Sequence, residues 1–143
     1  MKTRVLLAED HRDMREVLSR QLQLLGYEVA VAKNGMEAVA MALSEHPDII
    51  LMDILMPKMD GREAVSQIRE NPEIRQIPVL AVTGWGSSGS RKEYLASGFD
   101  DYIAKPFTHI ELQSAVAKLL RDSGDKSDTG EFLGGNRDEP KVG

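Results

Sequence analysis

The chain has 143 residues, of which 41% are apolar and 29% charged, the length and balance of one globular domain that builds its own core rather than of a disordered, fibrous or membrane-embedded chain. Eighteen basic against 23 acidic side chains leave a formal net charge of −5, which withholds the broad positive field that direct nucleic-acid binding needs. Cysteine is absent, and with it go a disulfide framework, a thiolate metal site and a cysteine nucleophile.

The first apolar run, Val5 to Ala8, is too short for the core of a signal peptide and reads as a strand covered on both faces. From Arg12 to Leu25, Met14, Val17, Leu18, Gln21, Leu22 and Leu25 fall at helical spacing. Gly26 follows where a helix end favours a left-handed residue. Tyr27 to Ala32 is the second expected strand. Asn34 with Glu37 is a capping pattern, in which the amide oxygen accepts from an otherwise unpaired backbone N–H. It opens a helix ending near Ser44, before His46 and Pro47. Asp48 to Ile54 is the third strand; Asp53 interrupts its apolar run, so no membrane span is expected and a cytoplasmic location follows by default.

Asp60 caps a third helix that carries Ala64, Val65 and Ile68 and stops at Asn71-Pro72. Ile77 to Thr83 is the fourth strand, with Pro78 tolerable only near its start. Ser90 with Glu93 caps a short helix closed by Gly98, Tyr102 to Lys105 is the fifth strand, and Thr108 with Glu111 caps a last helix lined by Leu112, Ala115, Val116, Leu119 and Leu120. Five strand-helix units in alternation imply an α/β fold, a doubly wound five-stranded parallel sheet with helices on both faces. The domain is expected to span residues 1–121. From Asp122 to the end the chain holds five of the twelve glycines and six acids, and residues 122–143 read as a flexible tail in which Phe132 and Leu133 are the only candidates for docking.

Ligands of such sheets sit outside the carboxyl ends of the strands. Those ends carry Glu9-Asp10, Asp53, Thr83 and Lys105. Converging carboxylates repel one another unless a cation joins them, and oxygen donors with room for water suit magnesium. A lysine and a hydroxyl beside them are anchors for a phosphoryl group. His11, His46 and His109 are far apart and read as surface or helix-start residues, and the methionines as packing.

These same residues carry a family resemblance. Glu9-Asp10, the run Met52-Asp53-Ile54-Leu55-Met56-Pro57-Lys58-Met59-Asp60-Gly61, Thr83-Gly84 and Tyr102-Ile103-Ala104-Lys105-Pro106-Phe107 together resemble the receiver domain of two-component response regulators, over residues 4 to about 121. The resemblance implies a flavodoxin-like, receiver-type fold and a phosphoacceptor switch rather than a turnover enzyme. Asp53 would take the phosphoryl group from a sensor histidine kinase or a phosphotransfer protein. Asp10, Asp53 and the backbone carbonyl of Leu55 would hold magnesium, or manganese in its place, with Glu9 acting through water. Thr83 and Lys105 would bind the phosphoryl oxygens, Tyr102 would follow Thr83 as the switch aromatic, and a cis Lys105-Pro106 peptide would aim the lysine inward. The output would pass through a downstream protein or a homodimer on the face of the fourth helix, fifth strand and fifth helix. No DNA-binding output domain is expected within the chain, which reads as a free-standing regulator or as the receiver segment of a hybrid kinase or larger regulator.

Two other classes compete. A metal-dependent phosphatase would use Asp53 as a turnover nucleophile, but such enzymes carry a second acid two residues on, where this chain has Leu55. Gly84-Trp85-Gly86-Ser87-Ser88-Gly89 is a literal G-x-G-x-x-G, yet it follows the fourth strand instead of the first and lacks the acidic partner that would bind a ribose. The loop is expected to be mobile instead. Trp85 reads equally as packing over it or as a contact that gates the site or meets a partner.

Overall fold

Strands and helices alternate along the chain because short continuous apolar runs alternate with stretches whose apolar residues recur about every 3.6 residues. The computed structural model describes residues 2–84 and 89–128, with side chains as far as residue 123. Its elements are β1 (Arg4–Ala8), α1 (Arg12–Leu24), β2 (Glu28–Ala32), α2 (Gly35–Glu45), β3 (Ile49–Asp53), α3 (Gly61–Glu70), β4 (Val79–Thr83), α4 (Arg91–Ser97), β5 (Asp101–Ala104) and α5 (His109–Asp128). All four strand pairings are parallel, in the order β2-β1-β3-β4-β5. This is the expected doubly wound sheet.

Alternate residues of the central strands feed two cores. Val5 and Leu7, Ile49 and Leu51, Leu80 and Val82 meet Leu18 and Leu22 of α1 and Leu112, Val116 and Leu119 of α5. Their neighbours Leu6 and Ala8, Ile50 and Met52, Val79 and Ala81 meet Ala38 and Ala42 of α2, Val65 and Ile68 of α3 and Tyr94 of α4. A strand buried on both faces must be apolar throughout, which is why β1 and β3 carry continuous apolar runs.

Register fixes the rim. Ala8 pairs with Met52, Asp53 with Val82 and Thr83 with Ala104, so Glu9, Asp53, Thr83 and Lys105 leave the sheet at nearly one level. The order reverses between β1 and β3, which opens the crevice into which they point. The expected caps form: Asn34 accepts from the Glu37 amide, Asp60 from Glu63, Ser90 from Glu93 and Thr108 from Glu111.

Several boundaries differ from expectation; β3, for example, runs Ile49–Asp53 and not Asp48–Ile54. Strand β4 starts at Val79, because Pro78 has no N–H for the ladder and Ile77 instead closes a turn on Ile74. Strand β2 starts at Glu28, since the Tyr27 amide is taken by Leu22 of the helix before it. Asp101 joins β5 through its pairing with Leu80, one residue ahead of the expected start. Helix α5 continues to Asp128, past the expected end of the domain at residue 121. Apolar periodicity marks the part of a helix that packs, whereas a polar extension needs only tolerable propensity. Residues 129–143, including Phe132 and Leu133, lie outside the described residues. None of the described helices is long and apolar enough to cross a membrane.

Candidate functional site

Glu9 and Asp10 form the turn between β1 and α1. Their carbonyls both accept from Arg15 Nη1 at 3.0 Å, and the Glu9 amide donates to Ala32 of β2. The backbone of the turn is thereby held while its carboxylates face inward. Asp53, the last residue of β3, accepts from the Leu55 amide at Oδ1 (3.2 Å) and from Lys105 Nζ at Oδ2 (3.2 Å). Lys105 Nζ also reaches Glu9 Oε1 at 3.2 Å. The Lys105-Pro106 peptide is cis.

The loop after Asp53 is clamped by two glycines. A Cβ on Gly61 would stand 2.5 Å from the Asp53 carbonyl oxygen, and one on Gly35 would meet the carbonyl of Met59, whose oxygen accepts the Gly35 amide. Between them Lys58 sits at φ +68° and Met59 N–H donates back to Pro57, a tight turn with a strained central residue. The close approaches lock the segment carrying Leu55 beside Asp53.

Glu9 and Asp53 are 1% and 5% exposed, and two carboxylates this close cannot both ionise at ordinary cost. Burial, reinforced by the hydrogen bond and negative charge of Glu9, pushes Asp53 up to about 6. Burial also acts against Glu9, but hydrogen bonds from Asp53, the His11 amide and Lys105 outweigh it and hold Glu9 below its ordinary value. The pair therefore takes up a proton more readily than a lone carboxylate does. Lys105 is raised, because the two carboxylates overcome the effect of its own burial.

A divalent cation fits this donor set. Donor atoms of Glu9, Asp10, His11 and Asp53 all lie within 4.8 Å of one another. Asp10 Oδ1 is the one buried side-chain polar atom among the described residues that lacks a hydrogen-bond partner. An orphaned carboxylate oxygen in an acidic nest is costly unless a cation satisfies it.

The structure brings Glu9, Asp10, Asp53 and Lys105 together as the sequence led one to expect. Thr83, at the end of β4, is buried and turns its hydroxyl to the Ile103 carbonyl at 3.4 Å. Tyr102, half-buried on β5, packs against the core on the α4 side, its ring 5.2 Å from that of Tyr94. Leu55 is 48% exposed, its amide spent on Asp53 and its side chain beside the mouth of the site. Trp85, with Gly86, Ser87 and Ser88, lies outside the described residues. The last glycine of that G-x-G-x-x-G run has a backbone reason to be glycine: Gly89 is at φ +141°, a conformation that residues with a Cβ rarely adopt. Arg15, Gly35 and the ring of His11 escaped sequence reasoning. A glycine immediately after a helix cap was the only available signal, for Gly35.

Comparison with known proteins gives a consistent result. The family model described as "Response regulator receiver domain" matches residues 5–117. The response regulator MprA of Mycobacterium tuberculosis is 39% identical over 121 residues, covering 85% of this chain and 52% of that protein. The chain spans about half the length of the curated relatives it matches. Among solved structures, the receiver domain of sensor histidine kinase PA1611 from Pseudomonas aeruginosa, with a magnesium ion coordinated in its active site cleft, aligns with a TM-score of 0.78 at 35% identity, covering 85% of this chain and 99% of that one. The receiver domain of the Francisella response regulator 1452 aligns with a TM-score of 0.77 at 29% identity, over 85% and 99% of the two chains.

Proposed function

The chain belongs to the response regulator receiver domain family, and from that premise we propose that Asp53 is its phosphoacceptor, charged by a phosphohistidine of a sensor kinase or phosphotransfer protein. The observation that carries this reading is the Asp53 carboxylate, buried at a strand end, gripped by Lys105 and set beside an acidic pair with one oxygen unsatisfied.

Magnesium, held by Asp10, Asp53 and the Leu55 carbonyl with Glu9 as an indirect partner, would supply positive charge against the charge on the phosphoryl oxygens. Ionised Asp53 attacks phosphorus in line. A carboxylate O–P bond forms, the N–P bond breaks, and the electron pair leaves on the imidazole nitrogen. Lys105 exchanges its bond to Asp53 Oδ2 for a phosphoryl oxygen. The Thr83 hydroxyl leaves its long bond to Ile103 for another, since a charged acceptor makes a stronger hydrogen bond than a carbonyl. Tyr102 follows the space that Thr83 vacates. Leu55 offers no group to orient a water, so the aspartyl phosphate hydrolyses slowly. Self-phosphorylation and this slow loss are the only reactions the reading assigns to the chain.

The signal leaves through the face of α4, β5 and α5. A groove of about 650 Å³ runs there past Tyr102, Ala104, Phe107, Ile110 and Ala115, and Ile110 is 71% exposed. Its occupant on this reading is a downstream protein or a second copy of the chain. Incubation with acetyl phosphate and magnesium tests the proposal: mass spectrometry should find one hydroxylamine-labile phosphoryl group, absent in Asp53→Asn and absent with chelator. Labelling that survives Asp53→Asn refutes it.

A further inference from the structure

His11 stands at the N-cap of α1, yet its side chain makes no capping hydrogen bond, although Ser, Thr, Asn or Asp at that position would. The ring turns back into the acidic nest, with Nδ1 3.2 Å from Glu9 Oε2 and 3.5 Å from Asp10 Oδ1. Asp10 Oδ1 is also the buried oxygen without a hydrogen-bond partner. Two ligands each about 2.1 Å from a single ion lie at most about 4.2 Å apart. The donors of Asp10, His11 and Asp53, already within 4.8 Å of one another, need little contraction to share one. The His11 side chain is 74% exposed, so no packing resists a rotation that brings Nδ1 onto the ion.

We propose that His11 is a nitrogen ligand of the cation site, and that the site consequently takes divalent transition cations in preference to magnesium. This rests on the reading of Asp10 and Asp53 as cation ligands and adds a donor to it. Magnesium is a hard cation that seeks oxygen and keeps much of its water. Imidazole suits iron, nickel, copper and zinc, and affinity for a mixed nitrogen and oxygen site climbs from manganese toward copper. One imidazole among carboxylates therefore leaves magnesium binding nearly unchanged while strengthening binding of the later metals.

The test uses the full untagged chain at pH 8, loaded in turn with magnesium, manganese and nickel, beside His11→Phe, His11→Gln and Asp10→Asn. Electron spin-echo modulation of the manganese form should show coupling to one imidazole nitrogen that disappears in both His11 variants. Calorimetric titration should show the ratio of nickel to magnesium affinity falling about 10- to 100-fold on loss of the ring, by analogy with the loss of metal-site support elsewhere. Manganese that binds without nitrogen coupling, or an affinity ratio unchanged in His11→Phe, overturns the proposal while leaving the carboxylate site standing. Metal binding indifferent to Asp10→Asn overturns both.

Discussion

Replacing Asp53 by Asn should stabilise the metal-free protein at neutral and alkaline pH. The folded protein holds Asp53 at about 6 against an ordinary 3.8, about two units, or about 3 kcal/mol between protonated and ionised forms. The sign follows from proton linkage. A carboxyl raised on folding binds more protons in the native state than in the unfolded chain, so its contribution is most favourable below about pH 3.8 and is lost as pH rises through about 6. Above pH 7 the ionised group is a net cost, which neutral Asn does not carry. Asn keeps an oxygen for the Leu55 amide but gives up the charge that attracts Lys105, so we expect about half of the cost to be recovered, about 1–2 kcal/mol, or roughly 3–10 °C in Tm for a domain of this size. Thermal unfolding by circular dichroism in chelator, for both proteins at pH 4.5, 6 and 8, reads the difference directly. It should grow with pH and shrink when magnesium is added, because the cation repays Asp53 more than Asn. Equal Tm values at pH 8, or a gain as large at pH 4.5, would refute the idea that ionised Asp53 is penalised by its surroundings.

Three further perturbations probe other contacts. Lys105→Met removes the cation that now occupies both Glu9 and Asp53; metal-free stability at pH 8 should fall by about 2 kcal/mol after allowance for partial exposure, while magnesium binds more tightly, and weaker binding by titration would contradict competition between lysine and metal. Leu55→Asn places a polar group at the mouth of the site, so label on Asp53 should disappear faster than from the parent protein, and an unchanged half-life would count against the water-exclusion account. Arg69→Ala deletes donors to the Gly98, Arg75 and Ile77 carbonyls and to Asp100; leaving Asp100 without its cation should cost about 2–4 kcal/mol in urea unfolding, and a loss below about 1 kcal/mol would show that the strut is dispensable.

Local signals made most of the fold legible. Each expected cap forms because its partner lies three residues away, and each central strand is apolar because both of its faces are covered. Pro78 and Tyr27 moved strand starts for equally local reasons, namely a missing N–H and an amide already used by the preceding helix. The carboxylates, threonine and lysine of the site were legible because strand ends in a parallel sheet share one rim. What escaped is what couples distant residues without a period. Arg69 reaches Asp100 across 31 positions, and Gly35 is constrained by a carbonyl of the loop after β3. His11 could be read as a helix-start residue, but no sequence pattern says which way its ring turns. The end of α5 escaped for the opposite reason: its last residues are polar, so no apolar period marks where the helix stops.

On the proposed reading, the geometry also limits how far phosphorylation alone can drive the switch. Thr83 is tied to β5 through Ile103, and Tyr102 of β5 rests on Tyr94, which lies under the Arg62 guanidinium at 5.3 Å and edge-on to Phe99. Tyr94 is 3% exposed, so it cannot follow Tyr102 unless α4 moves with it. That helix has seven residues, too few to persist without tertiary contacts, and is therefore the element most readily displaced. Driving such an equilibrium from 1:99 to 99:1 takes about 5.5 kcal/mol of differential interaction. The new Thr83 hydrogen bond to a charged oxygen supplies about 1.5–3 kcal/mol, and Lys105 adds less than a full ion pair because it must leave Glu9 and Asp53 to reach the phosphoryl group. The sum falls short, so the phosphorylated chain remains a mixture until a partner binds the displaced α4 and β5 surface. Linkage then makes the effect mutual: a saturating partner that favours the phosphorylated form by a given factor raises the equilibrium constant for phosphorylation by that same factor.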